Sequence, residues 1–170
     1  MTEHGADAAG LEVYVLTTGG SIDKIYTLQG EMEIGPSAAG ELLERAGLTN
    51  HSIVPVLTKD SLDLTPEDRD RLAELVDGCP PGAAVVITHG TDTMPETGRH
   101  LLKHIGHTDK TVVLTGALQP AAMSHSDAAF NLGSAVIAAR TCPPGVYVVM
   151  HGTVFDAATV RKDKAQGRFV

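Results

Sequence analysis

The stretch AAVVITHGTDTMPETGRHLLKHI, residues 83–105, decides the fold class. It begins with an apolar run, residues 83–88, that is typical of a strand covered on both faces. Its second half, residues 93–105, has apolar residues at helical spacing and opens with the Thr-x-x-Glu pattern of a capping box, Thr93 and Glu96. A polar loop joins the two halves. The stretch therefore predicts a strand, a loop and a helix in that order, which is part of a βαβ unit.

The same alternation continues on both sides of this stretch. Further strands are predicted at residues 13–16, 53–56, 111–114 and 146–150, and further helices at 37–46, 65–77 and 126–140. Strands that alternate with helices at this spacing indicate an α/β fold, an open, mostly parallel, doubly wound (Rossmann-like) sheet flanked by helices. We expect residues 1–10 to form a flexible tail and residues 11–170 a single domain. Residues 151–170 show no strong periodicity, so their structure is left open.

Composition excludes several classes of protein. The chain has 170 residues, 42% hydrophobic and 20% charged, as in ordinary globular domains, and its net charge of −8 argues against nucleic acid or an anionic membrane as partner. The longest apolar run, residues 83–87, is far shorter than the ~20 residues of a membrane span. The amino terminus does not have the pattern of a signal peptide, so we expect a cytoplasmic location and free thiols at Cys79 and Cys142.

Hydroxyls and glycines follow the predicted strands. Ligands of open α/β sheets bind beyond the carboxyl ends of the strands, where glycines allow close approach to the backbone. The segments found there are residues 17–21, 58–61, 89–93, 115–117 and 151–153. Neither Gly-x-Gly-x-x-Gly nor Gly-x-x-x-x-Gly-Lys-Ser/Thr is present, which argues against a dinucleotide or phosphate site. This edge is better suited to a small polar substrate, an amide or an acid.

Two of these segments carry a resemblance to a known family. Thr-Thr-Gly-Gly-Ser-Ile (residues 17–22) resembles the first signature of the bacterial-type L-asparaginase family, and His-Gly-Thr-Asp-Thr-Met-Pro-Glu-Thr (residues 89–97) resembles the second. The second motif is long and strongly specific. The similarity continues through residues 114–120, 127–132 and 148–162, so it covers almost the whole chain from the first strand onward.

The resemblance implies a set of catalytic residues. Thr18 corresponds to the nucleophile that attacks the side-chain amide, and Tyr26, on the loop after the first motif, to the tyrosine that assists it. Thr91 and Asp92 correspond to the threonine and aspartate of the second motif, with which a lysine, here Lys162, pairs. A threonine hydroxyl is a weak nucleophile, so a base or a polarising partner is required, and a shielded lysine acting through a threonine can supply one.

The resemblance also implies contacts to the substrate. Ser61 corresponds to the serine that holds the α-carboxylate, and Leu62 stands where many members carry a glutamine that contacts the substrate. Backbone around Gly90 and Ala117 lines the pocket in the family. Backbone N–H groups of the glycine-rich turn at Gly19 are candidates for stabilising the oxyanion that forms when an amide is attacked.

The implied activity is hydrolysis of L-asparagine to L-aspartate and ammonia. No organic cofactor is implied, and we expect a homo-oligomer and a short, single-domain form of the family without its carboxy-terminal domain. Two alternatives stay open: an amidase for glutamine or a D-amino acid amide, and a module that binds asparagine or aspartate without turnover. Whether Thr18 forms an acyl-enzyme or only aligns water also stays open.

A metal site is not expected. His100 and His104 are one helical turn apart, but the sequence places no acidic ligand between them as His-Glu-x-x-His does. Imidazole pairs without a third ligand are common by accident.

Overall fold

The computed structural model describes residues 10–106 and 108–170. The predicted tail at residues 1–10 lies outside this part of the chain, except for Gly10. The strands are β1 (Val13–Gly19), β2 (Lys24–Tyr26), β3 (Met32–Ile34), β4 (His51–Lys59), β5 (Ala84–Thr88), β6 (Thr111–Thr115), β7 (Gly145–Met150), β8 (Thr153–Asp156), β9 (Lys162–Asp163) and β10 (Arg168–Phe169). The helices are α1 (Ala39–Arg45), α2 (Pro66–Asp77), α3 (Met94–Ile105) and α4 (Ala128–Thr141).

One six-stranded sheet organises the molecule. Its strand order is β4-β1-β5-β6-β7-β8; the first five strands are parallel, and β8 pairs antiparallel with β7. These five parallel strands contain the five runs predicted from sequence, and each predicted helix is present with ends that differ by a few residues. The prediction of an open, mostly parallel α/β sheet flanked by helices is therefore confirmed.

The two faces of the sheet bury separate cores. In β5, Val85 and Ile87 pack in one cluster with Leu72 of α2 and Leu101 of α3. The alternate residues of β5 pack in a second cluster with α1 and α4. Because successive strand side chains point to opposite faces, helices cover the sheet on both sides. Burial on both faces explains why the strands are continuously apolar. The polar residues are found instead in the loops at the carboxyl ends of the strands.

Helix α2 begins as its sequence predicts. Thr65 accepts a hydrogen bond from the backbone N–H of Asp68, and the Asp68 carboxylate accepts one from the backbone N–H of Thr65, which together form a capping box. The capping box predicted for α3 at Thr93 and Glu96 is wrong, because the Thr93 side chain makes no capping hydrogen bond. Its hydroxyl has a different partner, described below.

Residues 151–170, left open by the sequence, form β8 and a small two-stranded sheet of β9 and β10. The backbone N–H and C=O groups of Arg161 and Val170 bond each other at 2.8 and 2.9 Å, which closes the β9–β10 pair. Cys79 and Cys142 are both free. Within residues 10–106 and 108–170, no helix combines the length and the apolar composition that a membrane crossing requires.

Candidate active site

Three loops that follow neighbouring strands touch through their backbones. A Cβ added to Gly20, after β1, would lie 2.5 Å from the Cα of Gly90, after β5. A Cβ added to Gly90 would lie 2.6 Å from the Cβ of Ser61, after β4. Real side chains do not tolerate such distances, so glycine at these two positions is what allows the three loops to meet. The segments that carry Thr18, Thr91 and Ser61 are therefore held together at one edge of the sheet.

Thr18 is buried next to the β5 strand end. Its hydroxyl donates a hydrogen bond of 2.8 Å to the backbone carbonyl of Thr88. The register of β1 and β5, which pairs Thr17 with Thr88, produces this contact. The resting hydroxyl is thus oriented by the backbone, and another group has to accept its proton before Thr18 can attack a carbonyl carbon.

Lys162 joins the two polar residues of the β5–α3 loop. Its Nζ donates to Thr91 Oγ1 at 2.8 Å and to Asp92 Oδ1 at 2.6 Å. The Thr91 side chain is buried, and Lys162 is largely shielded from water, whereas Asp92 is partly exposed. Ion pairs in such shielded positions have defined geometry, and this one fixes Lys162 against the Thr91 hydroxyl. The structure thus brings Lys162 into contact with Thr91 and Asp92, which lie about 70 residues earlier in the sequence.

The β9–β10 pair holds Lys162 in place because Phe169, on β10, is buried in the core. Lys162 pairs across the strands with Phe169, which is buried in the same cluster as α2 and α3. The preceding backbone is tied to α3, since Arg99 donates to the carbonyl of Val160 at 3.1 Å. Burial of Phe169 and this hydrogen bond anchor a short segment that has little regular structure of its own.

Ser61 is held by the residue assigned from sequence to a helix cap. The hydroxyl of Thr93 donates to the carbonyl of Ser61 at 2.7 Å, and Ser61 itself is buried. Asp60 accepts a hydrogen bond from the backbone N–H of Leu62 at 3.1 Å, which begins the short 3-10 turn that follows β4. The Leu62 side chain is 65% exposed. Thr93 is thus a positioning residue that the sequence analysis assigned to a different role.

Ala117 lies in a loop fixed by two polar residues of α4 and its start. The Asp127 carboxylate accepts from the backbone N–H groups of Leu118 and Gln119 at about 3.0 Å. Asn131, fully buried, donates to the carbonyl of Gly116 at 3.0 Å. Ala117 is itself buried, in contact with the small cluster that contains Ile22 and Ala128.

A buried polar chain supports the Gly90 loop from behind. His89 Nδ1 lies 2.7 Å from the carbonyl of Gly90 and Nε2 lies 2.9 Å from Thr97 Oγ1, which also accepts from Arg69 Nε at 2.9 Å. Burial lowers the pKa of His89 to about 4. The ring is therefore neutral near pH 7, with Nδ1 donating to the carbonyl and Nε2 accepting from the hydroxyl. The sequence analysis missed this chain, for which only the buried position of His89 directly after a strand was a signal.

Tyr26 is exposed to solvent. It ends β2 in the β2–β3 hairpin, its side chain is 67% exposed, and its hydroxyl has no hydrogen-bond partner among the described residues. The hairpin begins at Asp23, whose carbonyl accepts from Gly35 and whose buried carboxylate accepts from the backbone N–H of Ala38, both at 2.8 Å. Burial raises the pKa of Asp23 to about 6.

Comparison with known proteins identifies the fold family. Residues 12–169 match the sequence model of the family described as "Asparaginase, N-terminal". The chain belongs to the asparaginase family. It is 32% identical over 163 residues to L-asparaginase of Thermococcus kodakarensis, covering 92% of this chain and 49% of that protein. It is 33% identical over 174 residues to L-asparaginase 2 of Escherichia coli, covering 93% of this chain and 48% of that protein.

A solved asparaginase structure has the same fold. The thermostable L-asparaginase of Thermococcus kodakarensis superposes with a TM-score of 0.83 at 31% identity, over 94% of this chain and 51% of that one. The chain spans about half the length of the curated relatives it matches. The resemblance seen in the two sequence motifs is thereby confirmed at the level of the family. The roles of individual residues stay predictions.

Proposed function

We propose that this asparaginase-family chain hydrolyses L-asparagine to L-aspartate and ammonia. The observation that carries the proposal is the bonding of Lys162 to both Thr91 and Asp92, on a loop in backbone contact with the segment that follows Thr18. A binding module would need groups for the carboxylate and ammonium of an amino acid. It would have no use for a lysine–threonine pair beside a second buried threonine.

In the proposed reaction, Thr18 Oγ1 bonds to the side-chain amide carbon as its proton leaves. With Lys162 as the neutral amine, the Thr91 hydroxyl accepts that proton while passing its own to Lys162. The reverse transfer protonates the amide nitrogen, so that the C–N bond breaks and ammonia departs. Water then cleaves the resulting ester, adding its hydroxyl to the carbon and its proton to Thr18. We propose that backbone N–H groups of the glycine-rich turn at Gly19 stabilise the oxyanion.

Asp92 and Ser61 account for recognition of the amino acid. Lys162 occupies Asp92 Oδ1, while Oδ2 accepts no hydrogen bond from any described residue and the side chain is partly exposed. This oxygen is available for the α-ammonium group of the substrate. Ser61, held in place by Thr93, supplies a hydroxyl for the α-carboxylate. We further propose, from the sequence alone, a cytoplasmic location and assembly into a homo-oligomer.

The test is ammonia release by the purified chain with L-asparagine, L-glutamine and D-asparagine, beside the variants Thr18→Ala and Thr91→Ala. We expect L-asparagine to be the best substrate and each variant to lose activity by ~10²-fold or more. A Thr108→Ala variant, at a partly buried position just before β6, is the matched control and should be fully active. Activity in both site variants, or none in the wild type with L-asparagine, would contradict the proposal; binding of asparagine without ammonia would favour a binding module.

A partition experiment separates the two routes that the site allows. Hydroxylamine added to the reaction attacks an ester on Thr18 and yields aspartyl hydroxamate in competition with aspartate. Hydroxamate in proportion to added hydroxylamine, absent in Thr18→Ala, is expected for the acyl-enzyme route. Active enzyme that forms no hydroxamate would instead assign Thr18 to the alignment of water.

A further inference from the structure

A group of metal-ligating side chains lies where α2 and α3 pack together. Asp70 of α2 faces His100 and His104 of α3, and one potential ligand atom from each lies within 4.8 Å of the others. His100 Nε2 is 2.8 Å from Asp70 Oδ1, and His104 Nε2 is 3.2 Å from the same oxygen. The third ligand that the sequence of α3 lacks is therefore supplied by a neighbouring helix.

A backbone hydrogen bond sets the orientation of the His104 ring. Its Nδ1 lies 2.9 Å from the backbone carbonyl of His100, which can only accept, so Nδ1 carries the hydrogen. Its Nε2 faces the Asp70 carboxylate, 3.2 Å from Oδ1. The carbonyl bond also sets the ring orientation, as partners of metal-binding histidines commonly do.

The distances between these atoms fit a shared metal ion. Bonds of ~2.0–2.2 Å from zinc to nitrogen and oxygen separate adjacent ligand atoms by about 3.0–3.5 Å. The two Nε2–Oδ1 distances, 2.8 and 3.2 Å, are close to this range. The imidazole rings are stacked, with centroids 4.0 Å apart and planes 22° from parallel. Binding of one ion by all three atoms requires the two rings to rotate out of this stack, so that their nitrogen lone pairs converge beside Asp70.

The surroundings of this group are rigid and open to solvent. Arg69, next to Asp70, donates to Thr97 of α3 at 2.9 Å, and Leu72 and Leu101 are buried between the helices and the sheet. His104 and Asp70 are about half exposed, which leaves room for water as a further ligand. The net charge of −8 adds a general attraction for cations.

We propose that Asp70, His100 and His104 bind a divalent transition-metal ion such as Zn²⁺, Ni²⁺ or Co²⁺. Two imidazole nitrogens and one carboxylate oxygen favour these ions over Mg²⁺ and Ca²⁺, which prefer oxygen ligands. The ion links α2 to α3 at a point seven to eleven residues past Thr93, ~10–16 Å along the helix from the candidate active site. Its role is to stabilise the helix pair that supports the Gly90 loop, without contact to substrate.

The test is calorimetric titration of the untagged, metal-free chain with ZnCl₂, and with MgCl₂ for comparison. We expect one zinc ion per chain, no magnesium binding, and a melting temperature about 5 °C higher with saturating zinc. The variants Asp70→Asn, His100→Gln and His104→Gln should each weaken zinc binding by ~10-fold or more. His125→Gln, which changes an exposed histidine outside the group, is the matched control and should bind zinc like the wild type.

Asp70→Asn keeps the shape of the side chain, so its melting temperature without metal shows whether it folds. Visible absorption of bound Co²⁺ gives a second readout that does not depend on stability, and the bands should be lost in the same three variants. The proposal is overturned if the wild type binds no zinc, or if binding and the Co²⁺ bands persist in all three variants. It is also overturned if His125→Gln weakens binding as much as they do.

Discussion

Two sides of the candidate active site differ in how firmly their residues are held, the Lys162 side and the Tyr26 side. On one side, Lys162 bonds to Thr91 and Asp92, and Phe169 anchors its strand in the core. On the other side, Tyr26 lies on a hairpin of three residue pairs with its side chain exposed. The groups proposed to handle the proton thus contact one another, while the residue expected to assist the nucleophile has no hydrogen-bond partner among the described residues. Substitution of Lys162 should therefore cause a large loss of kcat. Substitution of Tyr26 should cause a smaller loss, because its hydroxyl acts only when substrate is bound.

Replacement of the lysine should have the largest effect. Lys162→Met keeps a side chain of similar length but removes the donor to Thr91 and Asp92, so we expect kcat for ammonia release to fall by ~10³-fold. Lys164→Met, at an exposed position two residues on, is the matched control and should keep wild-type activity. If the activity of Lys162→Met is within tenfold of the wild type, Lys162 takes no part in proton transfer.

Loss of the Tyr26 hydroxyl should have a smaller and purely kinetic effect. We expect Tyr26→Phe to lower kcat by ~10–100-fold, because the hydroxyl assists only when substrate is bound. The melting temperature should not change, since an exposed hydroxyl without a partner contributes little to stability. Tyr147→Phe, which removes a hydroxyl bonded to the carbonyl of Pro143, is the control for activity. Full activity in Tyr26→Phe would show that the hairpin takes no part in the chemistry.

Removal of the Thr93 hydroxyl tests whether Thr93 positions Ser61 for substrate binding. Thr93→Val leaves the Ser61 carbonyl without its donor, at a cost of about 1 kcal/mol, so KM should rise about fivefold while kcat changes little. Thr93→Ser keeps the hydroxyl and should restore KM. If Thr93→Val lowers kcat and leaves KM unchanged, Thr93 does not act through Ser61.

The two sides also differ in how much of them the sequence predicts. The strand–loop–helix pattern of residues 83–105 is strong because its period is local, and the two motifs identify Thr18, Thr91 and Asp92 directly. By contrast, β9 and β10 have two residues each, which is too short for any periodicity, so the anchoring of Lys162 could not be predicted. Thr93 fits a capping box locally, but its hydroxyl bonds to a carbonyl in another loop. Asp70 joins His100 and His104 only through packing of two helices.

A further expected effect, on stability and not on catalysis, concerns the base of the hairpin. Asp23 is buried there, and its pKa is raised from 3.8 to about 6, so the folded state keeps a proton that the unfolded state loses. Its contribution to stability is full below about pH 3.8 and is lost as the pH rises through about 6. His89 has the opposite dependence, because its pKa falls from 6.5 to about 4 on burial and the unfolded state holds the extra proton between these values.

The variant Asp23→Asn isolates one of these two opposing dependences. The amide oxygen of Asn can still accept from the backbone N–H of Ala38, but it does not ionise. Relative to the wild type, the variant should gain about 2 kcal/mol of unfolding free energy between about pH 4 and pH 7, since only the wild type then buries a charge. Urea unfolding of both proteins across this range measures the difference, in which the His89 contribution cancels. Parallel stability curves would mean that Asp23 ionises equally in the folded and unfolded states, which would contradict a raised pKa in the folded protein.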